Sequence, residues 1–143
     1  MRKIGLDVGD KTVGIAISDP LGYTAQGVMT LERVGIRKDT TKILEMVKEY
    51  ECDTIVVGLP KKLDGSDSIQ TEKVYEFKNM LENKMRSTGM KNIKLEWQDE
   101  RLTTVMAEKV LIEADVSRAK RKKVIDKQAA VIILQSYLDS TQR

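Results

Sequence analysis

The chain has 143 residues, 41% hydrophobic and 33% charged, with a formal net charge of +3. That balance suits one soluble domain, residues 1–143, with a real core, and it excludes a disordered chain. It has no histidine and one cysteine, which rules out Ser-His-Asp and Cys-His catalysis, imidazole zinc sites and internal disulfides.

No apolar run approaches the ~18 residues of a membrane span. The lone Cys52 fits a reducing compartment, so the chain is expected in the cytoplasm, away from membranes. Acid–base or metal chemistry must rest on carboxylates, lysine, tyrosine or water.

Lys3–Val8 and Val13–Ser18 read as strands joined by a tight polar turn at Gly9-Asp10-Lys11. Asp7 lies within the first apolar run, where a charge is costly unless it is paired or bound to metal. Gly5, Gly9 and Gly14 leave space around it for a backbone or a phosphate. A carboxylate on a rigid strand below open space suits a hard cation such as Mg2+. The plainer reading is a strand-end cap bonded to the turn amides.

A third strand covers Ala25–Leu31, and Lys38–Glu51 carries Ile43, Leu44, Met46, Val47 and Tyr50 at helical spacing. Cys52 is expected as a small half-buried residue before a buried strand that Pro60 halts. A loop with turn chemistry at Asp64-Gly65 follows, then an amphipathic helix over Ser68–Ser87 with Gly89 as its stop. Asn92–Gln98 gives a strand ending in Asp99-Glu100-Arg101. Helices over Thr103–Ala114 and Ser117–Leu138, capped by Thr103 and Ser117, close the chain. This order predicts an α/β fold: a mixed five-stranded sheet with an antiparallel part at one side, right-handed crossovers and flanking helices.

Charge is unevenly spread. Arg118–Lys127 holds six bases and one acid, while the other 19 bases and 21 acids nearly cancel. Such a patch is a plausible phosphate-binding footprint, though a solvated helix face is the commoner origin of a charge run.

Ligands of such a sheet gather where strands feed crossovers. Asp7 and Asp99-Glu100 end strands, and Asp126 precedes the apolar segment Ala129–Leu134 on the face of Ala129, Ala130 and Ile133. Three clustered carboxylates resist ionising together, and divalent cations relieve that repulsion and serve in-line phosphoryl transfer without histidine. The plainer readings are an Asp126 paired with Lys122 or Lys123, and an Asp99 or Glu100 that serves the strand end alone. Of those two neighbours only one faces the site, and Glu100 is preferred.

At this point the motifs resemble those of the YqgF/RuvX family. The residues that carry the resemblance are Asp7–Asp19, Val57-Gly58-Leu59-Pro60 with Asp64-Gly65-Ser66, Asp99–Thr104 and Asp126–Gln135. The resemblance implies a ribonuclease-H-like fold related to Holliday-junction resolvases. It also implies a nuclease trimming the small-subunit (16S) ribosomal RNA precursor, with Asp7, Glu100 and Asp126 as acidic catalytic and metal-holding positions. One departure stands out: the related resolvases carry a glutamate at the end of the fourth strand, where this chain has Gly58-Leu59-Pro60. The second acid would then come from the next strand, which argues against carrying junction resolution over.

Charge and position nominate Lys11, Lys61, Lys62, Arg101, Arg118, Lys120, Arg121, Lys122 and Lys123 as phosphate contacts. Trp97 is read as core rather than as a base-stacking platform. The expected activity is thus hydrolysis of phosphodiesters with Mg2+ or Mn2+. Expected partners are the ribosomal RNA precursor or branched DNA, and the ribosome or its proteins. The chain is expected as a monomer or weak homodimer. The alternatives are a junction resolvase or a non-catalytic nucleic-acid-binding module.

Overall fold

Side-chain size decides which helices pack on which face of this sheet. The computed structural model describes residues 1–60, 69–90, 92–99 and 118–141, with the side chains of Asp99 and of 118–127 outside the description. Strands β1 (Arg2–Val8), β2 (Thr12–Ser18) and β3 (Ala25–Glu32) lead to α1 (Ile36–Glu49) and β4 (Cys52–Leu59). Helix α2 (Ile69–Ser87), β5 (Lys94–Asp99) and α3 (Arg118–Thr141) complete the described elements. The expected helix over 103–114, the caps at Thr103 and Ser117, and the turn at Asp64-Gly65 lie outside the described residues.

The sheet order is β3-β2-β1-β4-β5. β1 is antiparallel to β2, and β2 to β3, while β1–β4 and β4–β5 are parallel. This is the expected mixed five-stranded sheet. The β2–β3 register shifts between Ile15 and Ala16, so Val28 is an extra residue on β3.

Strand alternation sends Ile4, Leu6 and Val8 of β1, with Val13, Ile15 and Ile17 of β2, to one face. There they meet Ile43, Leu44, Met46 and Val47 of α1 and Val74, Phe77, Leu81 and Met85 of α2. The other face offers small residues, Gly5 on β1 with Gly14 and Ala16 on β2, and α3 packs close against it through Ala129, Ala130, Ile133, Leu134 and Leu138. A Cβ at Gly5 would sit 2.7 Å from Leu134 Cβ and 3.2 Å from the Ala130 carbonyl. Gly5 therefore makes room for a helix, one of the two occupants its lack of side chain allows.

Two helix ends refine the sequence reading. Helix α1 starts at Ile36, and it stops at Glu49 because Glu51 takes the left-handed conformation (φ 56°) that turns the chain into β4. Helix α2 stops as expected: Gly89 has φ 74°, and Met90 N–H donates to the Met85 carbonyl at 2.9 Å. Trp97 packs against the α2-side core, edge-on to Tyr75 with ring centroids 5.3 Å apart. Among the described residues no helix is long and apolar enough to cross a membrane.

Candidate nuclease site

Asp7 is the next-to-last residue of β1, half-buried and paired across the hairpin with the buried Gly14. Strand alternation gives it the face of Gly5, on which α3 lies. Its neighbour Val8 is fixed on the opposite face in the α1/α2 core, so Asp7 is held by a buried strand rather than by a loop.

The direction of α3 relates the second acid to the first. Gln135 accepts from Ala25 N–H and donates to the Tyr23 carbonyl, both at 2.9 Å. Ala25 pairs with Ser18, whose hydroxyl accepts from Lys3 N–H at 2.8 Å, so Gln135 marks the start of β1. Ala130 and Leu134 then lie over Gly5. Continuing towards its N-terminus, α3 reaches position 126 one turn before Ala130, about 6 Å along the axis. Asp7 lies two strand residues beyond Gly5, about 7 Å in the same sense. The backbone of Asp126 is thus level with Asp7, and Arg118–Lys123 form the turns beyond it.

β5 ends on the same edge, with Asp99 in register with Leu59 of β4. It lies two strand spacings from β1, about 10 Å. Glu100, Arg101, Lys61 and Lys62 fall outside the described residues, as do the side chains of Asp126, Arg118, Lys120, Arg121, Lys122 and Lys123. Lys11 is exposed at the tip of the β1–β2 turn. Among the described residues no three His, Cys, Asp or Glu side chains form a metal-sized group. The donors nominated for such a group are all carboxylate oxygens, a set that suits Mg2+ or Mn2+.

The peptide after Asp7 is clamped by residues that the sequence reading missed. Gly9 N–H donates to the Thr12 carbonyl at 2.8 Å, closing the turn. Gln70, in the first turn of α2, donates to the Val8 carbonyl at 3.0 Å. Arg33 Nη1 donates to the Gly9 carbonyl at 2.9 Å while its Nε bonds Asp39 Oδ2 at 3.0 Å, and its guanidinium lies over the Phe77 ring. Asp39 is only 1% exposed and also accepts from Val34 and Gly35 N–H. Lys73 pairs with Asp10 at 2.8 Å, and its hydrogen bond holds the Asp10 carboxyl below the ordinary range. The acid in the first turn of α1 was the one sequence signal for this clamp. Nothing local in the chain links Asp39 to Gly9.

Comparison with known proteins places this chain among relatives. The family profile described as "RuvX: Holliday junction resolvase" matches residues 1–140. A Clostridium tetani protein named "Putative pre-16S rRNA nuclease" is 54% identical over 140 residues, covering 98% of this chain and 97% of the relative. Proteins of the same name from Clostridium botulinum (50% identical over the full length of both chains) and Desulforamulus reducens (51%, 98% of each) are similar. Among solved structures, Thermus thermophilus RuvC in complex with a Holliday junction substrate aligns with TM-score 0.60 at 10% identity, over 99% of this chain and 96% of that one. The yeast mitochondrial Holliday junction resolvase Ydc2 aligns with TM-score 0.57 at 12% identity, over 98% and 81%. The fold is the ribonuclease-H-like fold of these resolvases.

Proposed function

This chain belongs to the RuvX family, and from that premise we propose that it is a divalent-metal-dependent nuclease that processes the precursor of 16S ribosomal RNA. The observation that carries this reading is the half-buried Asp7, held on a clamped strand on the face along which α3 brings the backbone of Asp126 level with it.

In this reading Asp7, Glu100 and Asp126 hold Mg2+ or Mn2+. When bound, the metal supplies Lewis-acid polarisation of the phosphate and an attacking water of lowered pKa. Trp97 packs on the α2 side, so strand alternation gives the α3 side to Lys94, Glu96 and Gln98 of β5, and the second acid is proposed as Glu100, which lies outside the described residues. The clamp from Arg33 and Gln70 keeps the Asp7 strand end from shifting as substrate charge arrives. The bases of 118–123, with Lys11, Lys61, Lys62 and Arg101, hold phosphates flanking the scissile one. The cell compartment in which this proceeds is proposed as the cytoplasm.

The test is cleavage of a labelled 16S precursor with Mg2+ or Mn2+, beside Asp7→Asn purified identically. Cutting that falls at least about a hundredfold in the variant, with RNA binding kept, is the expected result. Cutting that survives the substitution sinks the assignment of Asp7. A four-way DNA junction in the same assay tests resolvase activity, which predicts junction cutting in preference to precursor cutting.

A further inference from the structure

The sequence puts its one basic excess at 118–127, yet the fold builds a second on the opposite side of the sheet. Two adjoining grooves of about 390 and 470 Å³ run between α1 and α2 and share Thr41, Glu45 and Lys84 in their walls. Among the described residues Arg37, Lys38, Lys42, Lys48 and Lys84 line them, against the one carboxylate of Glu45. Lys84 is half-buried, and its ammonium is held by neutral oxygens, the Arg37 carbonyl and Thr41 Oγ1. Among the described residues none of the five cations has an ion-pair partner. Five like charges around one trough repel, and an anion laid along it removes that repulsion.

We infer that this α1–α2 trough binds the phosphodiester backbone of RNA outside the cleavage site. Arg37 to Lys48 span about 16 Å of helix, which favours an extended polyanion over a single small anion. Among the described residues no aromatic ring lines the trough, so bases find no stacking platform there and recognition is independent of sequence. Its position supports one continuous substrate. Arg33 and Asp39 pin the first turn of α1 to Gly9, so the trough starts at the sheet edge that carries Asp7. The choice of RNA as the polyanion rests on the nuclease reading above.

The test compares the full-length chain with its Lys38→Gln, Lys42→Gln, Lys48→Gln triple variant, whose substitutions are exposed and helix-compatible. Binding to a folded 16S precursor fragment is measured across a salt series without divalent cations, so that nothing is cut. The slope of log affinity against log salt is expected to fall in magnitude by about 2, that is about 0.7 for each lost charge. In the unaltered protein, bound RNA is expected to protect Lys38, Lys42 and Lys84 from acylation. Should the variant melt early, this protection decides alone.

An unchanged slope, or lysines acylated equally with and without RNA, overturns the proposal and leaves the trough to another anion such as an acidic protein surface. The two readings fail separately. A chain that binds through the trough but cuts nothing refutes the nuclease alone. One that cuts, with Asp7→Asn inactive and the slope unaltered, refutes the trough alone.

Discussion

Arg33 bonds Asp39 through Nε and the Gly9 carbonyl through Nη1, two acceptors that one planar fork can reach together. A lysine has one nitrogen and can keep only the ion pair. Arg33→Lys should therefore leave the buried Asp39 paired and the fold intact while releasing the peptide beside Asp7. With Asp7 as the metal ligand proposed above, the expected effect is a roughly ten- to hundredfold loss of Mn2+ affinity or activity, the size seen when residues supporting metal ligands are lost. Cleavage against Mn2+ concentration, run with thermal melts, checks this. An unchanged Mn2+ midpoint at an unchanged melting temperature rejects a positioning role. Asp7 was legible in the sequence because a carboxylate inside an apolar run is locally anomalous. Arg33 was not, since a loop arginine looks ordinary until Phe77 of α2 is placed beneath it.

Among the elements, α3 depends most on a single small residue. Gly5→Val would set a branched side chain against Leu134 and the Ala130 carbonyl, where even a Cβ has no room. Overpacking of this kind costs about 1–3 kcal/mol, and here it would also lift the helix that carries Asp126 away from β1. Urea unfolding and cleavage should both suffer. A variant as stable and active as the parent means that α3 tolerates a shift. Strands β1 to β5 and helix α2 could be read from periodicity and stop signals. The end of α1 could not, because apolar spacing runs on through Tyr50 while the left-handed Glu51 is imposed by the return into β4.

For the molecule as a whole, Cys52 links stability to pH. It opens β4 at 3% exposure, and burial first, then the neighbouring Asp53 charge, push its thiol from 9.0 up to about 11. The folded state favours the neutral thiol, so this contribution is complete below pH 9.0 and is lost as pH rises to about 11. Denaturant midpoints of the parent should fall in that window more steeply than those of Cys52→Ala, with parallel curves below it. Equal slopes throughout would show that the thiol titrates in the folded chain as it does unfolded. The same scale governs charge, because a net +3 conceals two basic regions on opposite layers of the sheet.

What the sequence determines by itself is what short-range chemistry dictates. Alternation and 3.6-residue spacing specify the elements, the absence of histidine leaves any acid–base or metal chemistry to carboxylates, lysine, tyrosine or water, and the quoted motifs point to the family. The anomalous Asp7 and the run at 118–127 are visible because both are local in the chain. Only the tertiary structure decided which small residues admit α3, how Arg33 reaches Gly9, and that Lys84 joins the cations of α1. Those relations need residues far apart in sequence to share a few ångströms, and packing, not local preference, brings them together.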